Sequence, residues 1–450
     1  MLAKFKQRLR SPQEAPVLDG ISLLPSEILG GEIFPLVVHE ENYGDLWHRK
    51  LLVLARVCTQ WRNIVHSTPF LWSHIAINTR QFSGVGRFRR NRFTKKYFEA
   101  LRMCLARSAP LPVSISIDDG LVFPGDRKDF ARAVDLISNA AVRMEVLRIN
   151  SRRRDDAGVG ILRALELILT GAFQALTEID FVFPSDVALV PFSVMSAPHL
   201  RRVKLNAGPD PLKFMSIPWP QLTHLTLAAP PLTCLAVLAR CSNLVSAVLH
   251  HMYISLPDGN APTTATLVHL TSLRLTVSST LIEAVGNLVL PALTMLELIC
   301  DEEDMIRVWP PLKVFRQLPL HNIQCLMFER FPLVSATLCA LLRCTPSVTE
   351  LKLKGRDCID NALLNALRAD VYWSKPLLPQ LEMLSIDWGS VLGDDFDLET
   401  LQVMLASRVG VGLRRIVYRG YYHGQVPALV ACHVDGLQVD VSGVKRIIFI

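Results

Sequence analysis

One pattern recurs through the last two thirds of this 450-residue chain and limits what it can fold into. An apolar residue is followed by two others, a second apolar residue, one other, and a third apolar residue. The copies are Met144-Leu147-Ile149, Leu176-Ile179-Phe181, Leu200-Val203-Leu205, Leu222-Leu225-Leu227, Leu244-Ala247-Leu249, Leu270-Leu273-Leu275 and Leu293-Leu296-Leu298. They continue as Ile323-Leu326-Phe328, Val348-Leu351-Leu353, Leu381-Leu384-Ile386 and Leu413-Ile416-Tyr418, with a weaker last copy at Val434-Leu437-Val439. The final three positions of each alternate in and out, as a short strand does. The first apolar residue enters at the bend before that strand. A proline sits two residues ahead of it at Pro198, Pro220, Pro291, Pro346 and Pro379. Proline fixes φ and stops a preceding helix, which suits a bend. Helix-like stretches such as 235–239 and 338–342 lie between the predicted strands.

A single unit of this kind cannot bury its own apolar face, but stacked units bury a continuous core. The intervals run from about 21 to 33 residues, near the range of leucine-rich repeats. The expected fold is therefore an α/β solenoid, an irregular leucine-rich repeat horseshoe over residues 113–450. The asparagine ladder of regular leucine-rich repeats is absent and the spacing is ragged, hence irregular. Residues 445–450 are expected to form a last strand. The positions between the inward leucines are expected to face a target: Arg202, Lys204, Thr226, Arg274, Glu297, Lys352 and Ser385. Their mixed chemistry points to no ligand class, so the partner on this surface is an unspecified protein.

Composition excludes other classes. Half the residues are hydrophobic and 20% charged, an ordinary globular balance rather than a disordered one. The net charge of +7 is uneven: residues 1–110 carry 17 Lys/Arg against 8 Asp/Glu, and the rest is near neutral. Residues 1–20 read as a flexible tail. Ten cysteines occur without a C-x-x-C pair, which reads as reduced thiols of an intracellular protein. No run approaches the roughly 20 apolar residues of a membrane span, so no membrane partner is expected. G-x-S-x-G, Walker A, G-x-G-x-x-G and H-E-x-x-H are all missing, so neither catalysis nor a cofactor or metal is expected. His250-His251 and Tyr421-Tyr422-His423 read as loop residues. Arg152–Asp156 and the acidic runs 301–304 and 394–395 read as solvated loops. The basic and aromatic run 87–96 reads as a solvated linker entering a helix around 97–106, within a basic segment 78–112. Nuclear import is its better functional reading, and no nucleic-acid partner is expected.

Residues 21–77 differ from the repeats. Pro25 suits a first helical turn, and Ile28, Leu29, Ile33 and Phe34 give an apolar face at helical period. Gly30 and Gly31 weaken that helix by about 1 kcal/mol each relative to alanine, and Pro35 is expected to end or kink it. Asp45 can cap a second helix carrying Leu51, Leu52, Leu54, Ala55 and Val57. A third holds Trp61, Ile64 and Val65, and Pro69, Phe70, Leu71 and Trp72 close the segment. Such a unit is small for a self-sufficient core and carries many large apolar groups, so it calls for a partner.

Leu24-Pro25-Ser26-Glu27-Ile28-Leu29 with Ile33-Phe34, then Val57-Cys58-Thr59-Gln60-Trp61-Arg62, then Ser67-Thr68-Pro69-Phe70-Leu71-Trp72, resembles an F-box. It resembles in particular the F-box proteins abundant in mushroom-forming fungi. In those, a segment similar to Leu105-Ala106-Arg107-Ser108-Ala109-Pro110-Leu111-Pro112-Val113-Ser114-Ile115 follows, and then degenerate leucine-rich repeats. The resemblance implies a three-helix F-box module docking on the Skp-type adaptor of a cullin–RING ubiquitin ligase. The repeats then hold the target, and other subunits transfer ubiquitin. It implies adaptor contacts by Leu24, Pro25, Ile28, Ile33, Val57, Cys58 and Trp61, with Trp72 packed inward. Gly30-Gly31 and the long 37–49 loop depart from the family pattern. The alternative reading is a leucine-rich repeat scaffold without a ligase connection.

Overall fold

The computed structural model describes residues 24–39, 47–78, 87–118, 135–150, 172–183, 192–206, 215–251, 264–276, 281, 285–300, 318–330, 335–355, 359–370, 376–387, 398–419 and 437–442. Two compact units are present: Met1–Thr177 with Ser196–His199, and Glu178–Met195 with Leu200–Ile450.

The first unit opens with helices. α1 (Ser26–Ile28) runs into a π turn (Leu29–Ile33) and on into α2 (Phe34–His39). Pro35 does not end this helix. The Phe34 N–H reaches back five residues to the Leu29 carbonyl. That wide turn moves the carbonyls that a proline ring would strike in a regular α-helix. α3 (Trp47–Leu54) and α4 (Thr59–Ser67) follow, then a 3-10 turn (Pro69–Trp72). Leu29, Phe34, Leu51, Ile64, Val65, Leu71 and Trp72 are buried between these elements. Asp45 lies outside the described residues. Gly30 is a packing requirement rather than a flaw. A β-carbon there would stand 3.0 Å from Ile64 Cγ2 and 3.0 Å from Thr68 Oγ1. Gly31 has open space beside it.

Trp72 packs inward. Its indole Nε1 donates to the Val65 carbonyl at 2.7 Å, and Arg107 covers its ring at 4.7 Å. Arg107 ends α5 (Arg87–Arg107), which corrects the expected linker: the basic run 87–96 is helical. No glycine or proline interrupts it, and arginine and lysine are good helix formers. The unit closes with three parallel strands in the order β1 (His74–Asn78), β2 (Val113–Asp118), β3 (Met144–Asn150). β1 lies across the boundary expected at residue 77. Its Ile75 and Ile77 alternate inward, but the stretch is too short for the longer repeat pattern to reveal it.

In the second unit eleven strands among the described residues form one parallel ladder, each hydrogen-bonded to the next. In chain order the strands are β4 (Glu178–Val182), β5 (Phe192–Ser193), β6 (Arg202–Asn206), β7 (Met215–Ser216), β8 (His224–Ala229) and β9 (Ser246–His251). β10 (Ala265–Thr266), β11 (Ser272–Thr276), β12 (Leu288–Val289), β13 (Met295–Ile299) and β14 (Cys325–Glu329) follow. β15 (Glu350–Lys354), β16 (Met383–Asp387), β17 (Arg415–Arg419) and β18 (Gln438–Ser442) complete the series. Among the described residues β5 pairs with β7 and β10 with β12, as two short separate sheets. Helices α6 (Pro231–Leu238), α7 (Ser335–Leu342), α8 (Asn361–Ala366) and α9 (Leu398–Val409) lie between strands. The helix-like stretches 235–239 and 338–342 fall in or at the end of α6 and α7.

Every position of the first eleven triplets is at most 2% exposed. Full burial of each such side chain contributes on the order of 2 kcal/mol relative to exposure. The twelfth copy needs correction. Val439 pairs with Ile416 and Val441 with Tyr418, so the last strand is in phase two residues later than Val434-Leu437-Val439. Counted back along the sequence, that phase has a glycine, residue 436, where the other copies have their first apolar residue, so the sequence pattern slips there. His250 and His251 also differ from expectation, as they end β9 rather than sit in a loop. Residues 445–450 lie outside the described residues, as do 152–156, 301–304, 394–395 and 421–423.

Threonines do the bridging that asparagines do in regular repeats. In the first unit Thr177 Oγ1 donates to the Glu145 carbonyl at 3.2 Å. In the second, Thr223 reaches Arg201, Thr271 reaches Val245, Thr294 reaches Thr271 and Thr349 reaches Gln324, each carbonyl within 3.3 Å. Each threonine follows the first apolar residue of its triplet. It reaches the equivalent carbonyl of the preceding repeat. Nearer the C-terminal end, Arg408 is buried and its guanidinium donates to the carbonyls of Leu367, Leu377 and Leu378. Burial pulls its pKa down to about 10, so it stays charged at neutral pH.

Candidate functional site

Two surfaces carry the predicted residues, one in each unit. On the first, Pro25, Ile28, Val57 and Cys58 are exposed, and Leu24, Ile33 and Trp61 are half-buried. Trp61 is steadied by Phe34, ring centroids 5.0 Å apart. Cys58 caps α4, its Sγ accepting the Trp61 N–H at 3.4 Å. Sequence reasoning missed the neighbours. Leu36, Val37, Leu52, Val53 and Phe70 are also exposed, Leu36 at 72% and Val53 at 62%. Of fifteen large apolar side chains exposed among the described residues, seven fall between Ile28 and Phe70. Leu36 and Val37 lie beyond Pro35, where the helix was not expected to continue.

The second surface is the outward face of the ladder. Lys204, Thr226, Arg274, Glu297, Lys352 and Ser385 stand in one row that also holds Val248, Met327 and Val417. Arg202 stands in the adjacent row, beside Glu178 and His224. The predicted positions therefore share a face, and the strand register supplies the members that lie between them.

Charges on this face are largely matched across strands. Lys204 lies 3.8 Å from Glu178 and 3.9 Å from Asp180. Arg274 bridges Glu297 at 3.4 Å and Glu329 at 3.5 Å, and Glu329 also holds Lys354 at 2.8 Å. Lys352 pairs with Glu350 at 2.8 Å and Arg415 with Asp440 at 2.5 Å. Burial alone would lower the Lys352 pKa, but the hydrogen bond to Glu350 and the charges of Glu350 and Glu297 raise it above its ordinary value. The Arg415 hydrogen bond, helped by Gln438, holds Asp440 below the usual carboxylate range. Burial pushes the Cys325 thiol up to about 12, so it is no thiolate. Burial, then the Arg202 charge, lowers the His224 pKa.

A cleft of about 360 Å³ opens on this face over β14 to β17. Lys352 and Ser385, both anticipated, line it together with Met327, Met383, Arg415 and Arg419, which were not. No motif marks those four residues, and only the parallel register brings them together. Among the described residues no group of three His, Cys, Asp or Glu side chains gathers as a metal set. No described helix is long and apolar enough to cross a membrane.

Parallel strands stacked in register, each turning an L-x-x-L-x-L pattern inward, define a solenoid-like α/β fold of leucine-rich repeats. No known family model matches the chain, and no curated protein matches it. Among solved structures, the chain is similar to the leucine-rich repeat-containing protein LegL7 from Legionella pneumophila. That likeness has 14% identity and a TM-score of 0.36, over 74% of this chain and 93% of the other. A Bacteroides fragilis protein is similar at 14% identity with a TM-score of 0.27, over 75% of this chain and 76% of the other. The repeat assignment rests on the ladder's own register and burial.

Proposed function

We propose that the chain is a non-catalytic receptor subunit of a Skp–cullin–F-box type ubiquitin ligase. Residues 24–72 dock on the Skp-type adaptor, and the outward face of the repeats holds a target protein. The observation that carries this is the exposed apolar set Ile28, Leu36, Val37, Leu52, Val53, Val57 and Phe70, lying within the segment that resembles an F-box. Large apolar groups concentrated on one small helical unit mark an association surface. Recombinant adaptor is expected to co-purify with the chain and to be lost on combining Ile28→Glu with Val57→Glu. Both side chains are exposed, so the fold survives and only docking is removed. Adaptor that fails to bind, or binds the double variant equally well, overturns the ligase reading. The register-aligned outward face of the ladder also supports the broader reading, a protein-binding scaffold without a ligase, which that result would leave standing.

A further inference from the structure

The cleft over β14 to β17 has a cause in the sequence. Ser385 stands between Lys352 on β15 and Val417 on β17 as their register partner. One short side chain between two longer ones leaves a hollow. Met327, Met383 and Val417 give its lining an apolar part. Methionine is flexible and polarisable, and adapts to varied apolar side chains. The charged part consists of Lys352, Lys354, Arg415 and Arg419 against Glu350 and Asp387. Three of these cations are already held, Lys352 by Glu350, Lys354 by Glu329 and Arg415 by Asp440. Arg419 is exposed at the end of β17, and its register partner is Asp387. Among the described residues it makes no ion pair.

We propose that this cleft seats a short extended segment of a partner protein bearing an acidic side chain two residues from an apolar one. The spacing comes from β17 itself. Val417 and Arg419 are alternate residues of one strand, about 6.6 Å apart along it. Residues i and i+2 of an extended peptide have that same separation. The apolar side chain fills the space above Ser385, against Met383 and Val417. The carboxylate meets Arg419, whose planar guanidinium suits two parallel hydrogen bonds. The proposal deepens the reading of the repeat face as a target-binding surface, and rests on it.

The test is panning of a random heptapeptide display library on the purified full chain. Enriched peptides are expected to carry Asp or Glu two residues from Leu, Met, Ile or Phe. A labelled representative should bind Arg419→Glu at least about tenfold more weakly, since losing one charge-assisted pair costs that much. It should not bind Ser385→Phe, in which the hollow is filled. Unchanged thermal melting shows that both variants are folded, and if Ser385→Phe is not, Arg419→Glu alone decides. No enrichment, enrichment of basic peptides, or affinity indifferent to Arg419→Glu each overturn the proposal. Adaptor capture by the same variants separates this result from the ligase reading. Failed panning leaves adaptor binding intact, and failed adaptor binding leaves the peptide result intact.

Discussion

Gly30 and Ile64 touch so closely that a β-carbon on the first would stand 3.0 Å from Cγ2 of the second. The first helical stretch lies against α4 at this point because residue 30 has no side chain. Gly31, one residue on, meets nothing within 4 Å. The two glycines therefore respond in opposite ways. Gly30→Val is expected to destabilise the first unit by about 1–3 kcal/mol through overpacking. Gly31→Ala is expected to stabilise it by about 0.5–1 kcal/mol, because alanine loses less conformational freedom in a helix. Urea titration of both variants checks this. Equal shifts of the midpoint would mean that residue 30 is not the contact.

Arg408 ties two stretches of backbone together through three carbonyls, at Leu367 after the end of α8 and at Leu377 and Leu378 in the following turn. No carboxylate is needed because three carbonyls share the charge. Arg408→Met keeps the apolar stem but leaves those carbonyls buried without donors. At about 1–3 kcal/mol for each unsatisfied group, a loss of about 3 kcal/mol or more is expected. Arg408→Lys cannot reach all three and should recover only part of it. Chemical denaturation of the two variants measures the difference, and a methionine variant as stable as the parent would refute the role.

These two sites show what could be read beforehand. The triplets were legible because burial repeats at fixed positions, and all eleven full copies are inward. The outward placement of Arg202, Lys204, Thr226, Arg274, Glu297, Lys352 and Ser385 was legible for the same reason, since alternation sets it. Gly30 was misjudged as a weakness because its partner, Ile64, lies thirty-four positions away and only packing reveals it. Pro35 was expected to end the helix because a π turn has no sequence signature comparable to a cap. The cleft was invisible because Met327, Met383 and Val417 lie on three different repeats of unequal length. The threonine ladder was legible in principle. Thr177, Thr223, Thr271, Thr294 and Thr349 recur at one repeat position, directly after the first apolar residue of the triplet.

Cysteine reactivity separates the exposed cap from the core. Cys58 is exposed, whereas Cys104, Cys234 and Cys241 are buried, and burial pushes each of these three thiols up to about 12. The thiolate is the reactive form. Iodoacetamide at pH 8 should therefore modify Cys58 in the native chain and spare those three until the chain is unfolded. Peptide mapping by mass spectrometry reads the order. Bound adaptor should slow labelling of Cys58 if docking covers the start of α4, and an unchanged rate with adaptor bound would place the contact elsewhere.

His66 gives the first unit a pH dependence of defined sign. Its Nδ1 accepts from Arg107 at 2.7 Å, and its ring stacks on Trp72 at 6.3 Å between centroids. Desolvation first, then the charges of Arg107 and Arg62, lower its pKa below the ordinary histidine value of 6.5. A protonated ring would turn an acceptor into a second donor facing a guanidinium. The folded chain therefore resists protonation, while the unfolded chain takes up a proton as pH falls below 6.5. Unfolding gains from that difference, so stability is full above pH 6.5 and declines as pH falls from there through the folded pKa. His66→Gln keeps an acceptor for Arg107 and removes the titration. The fall in Tm between pH 7.5 and 5 should be smaller in that variant than in the parent, with carboxylate contributions common to both. Parallel Tm curves would show that His66 does not set this dependence.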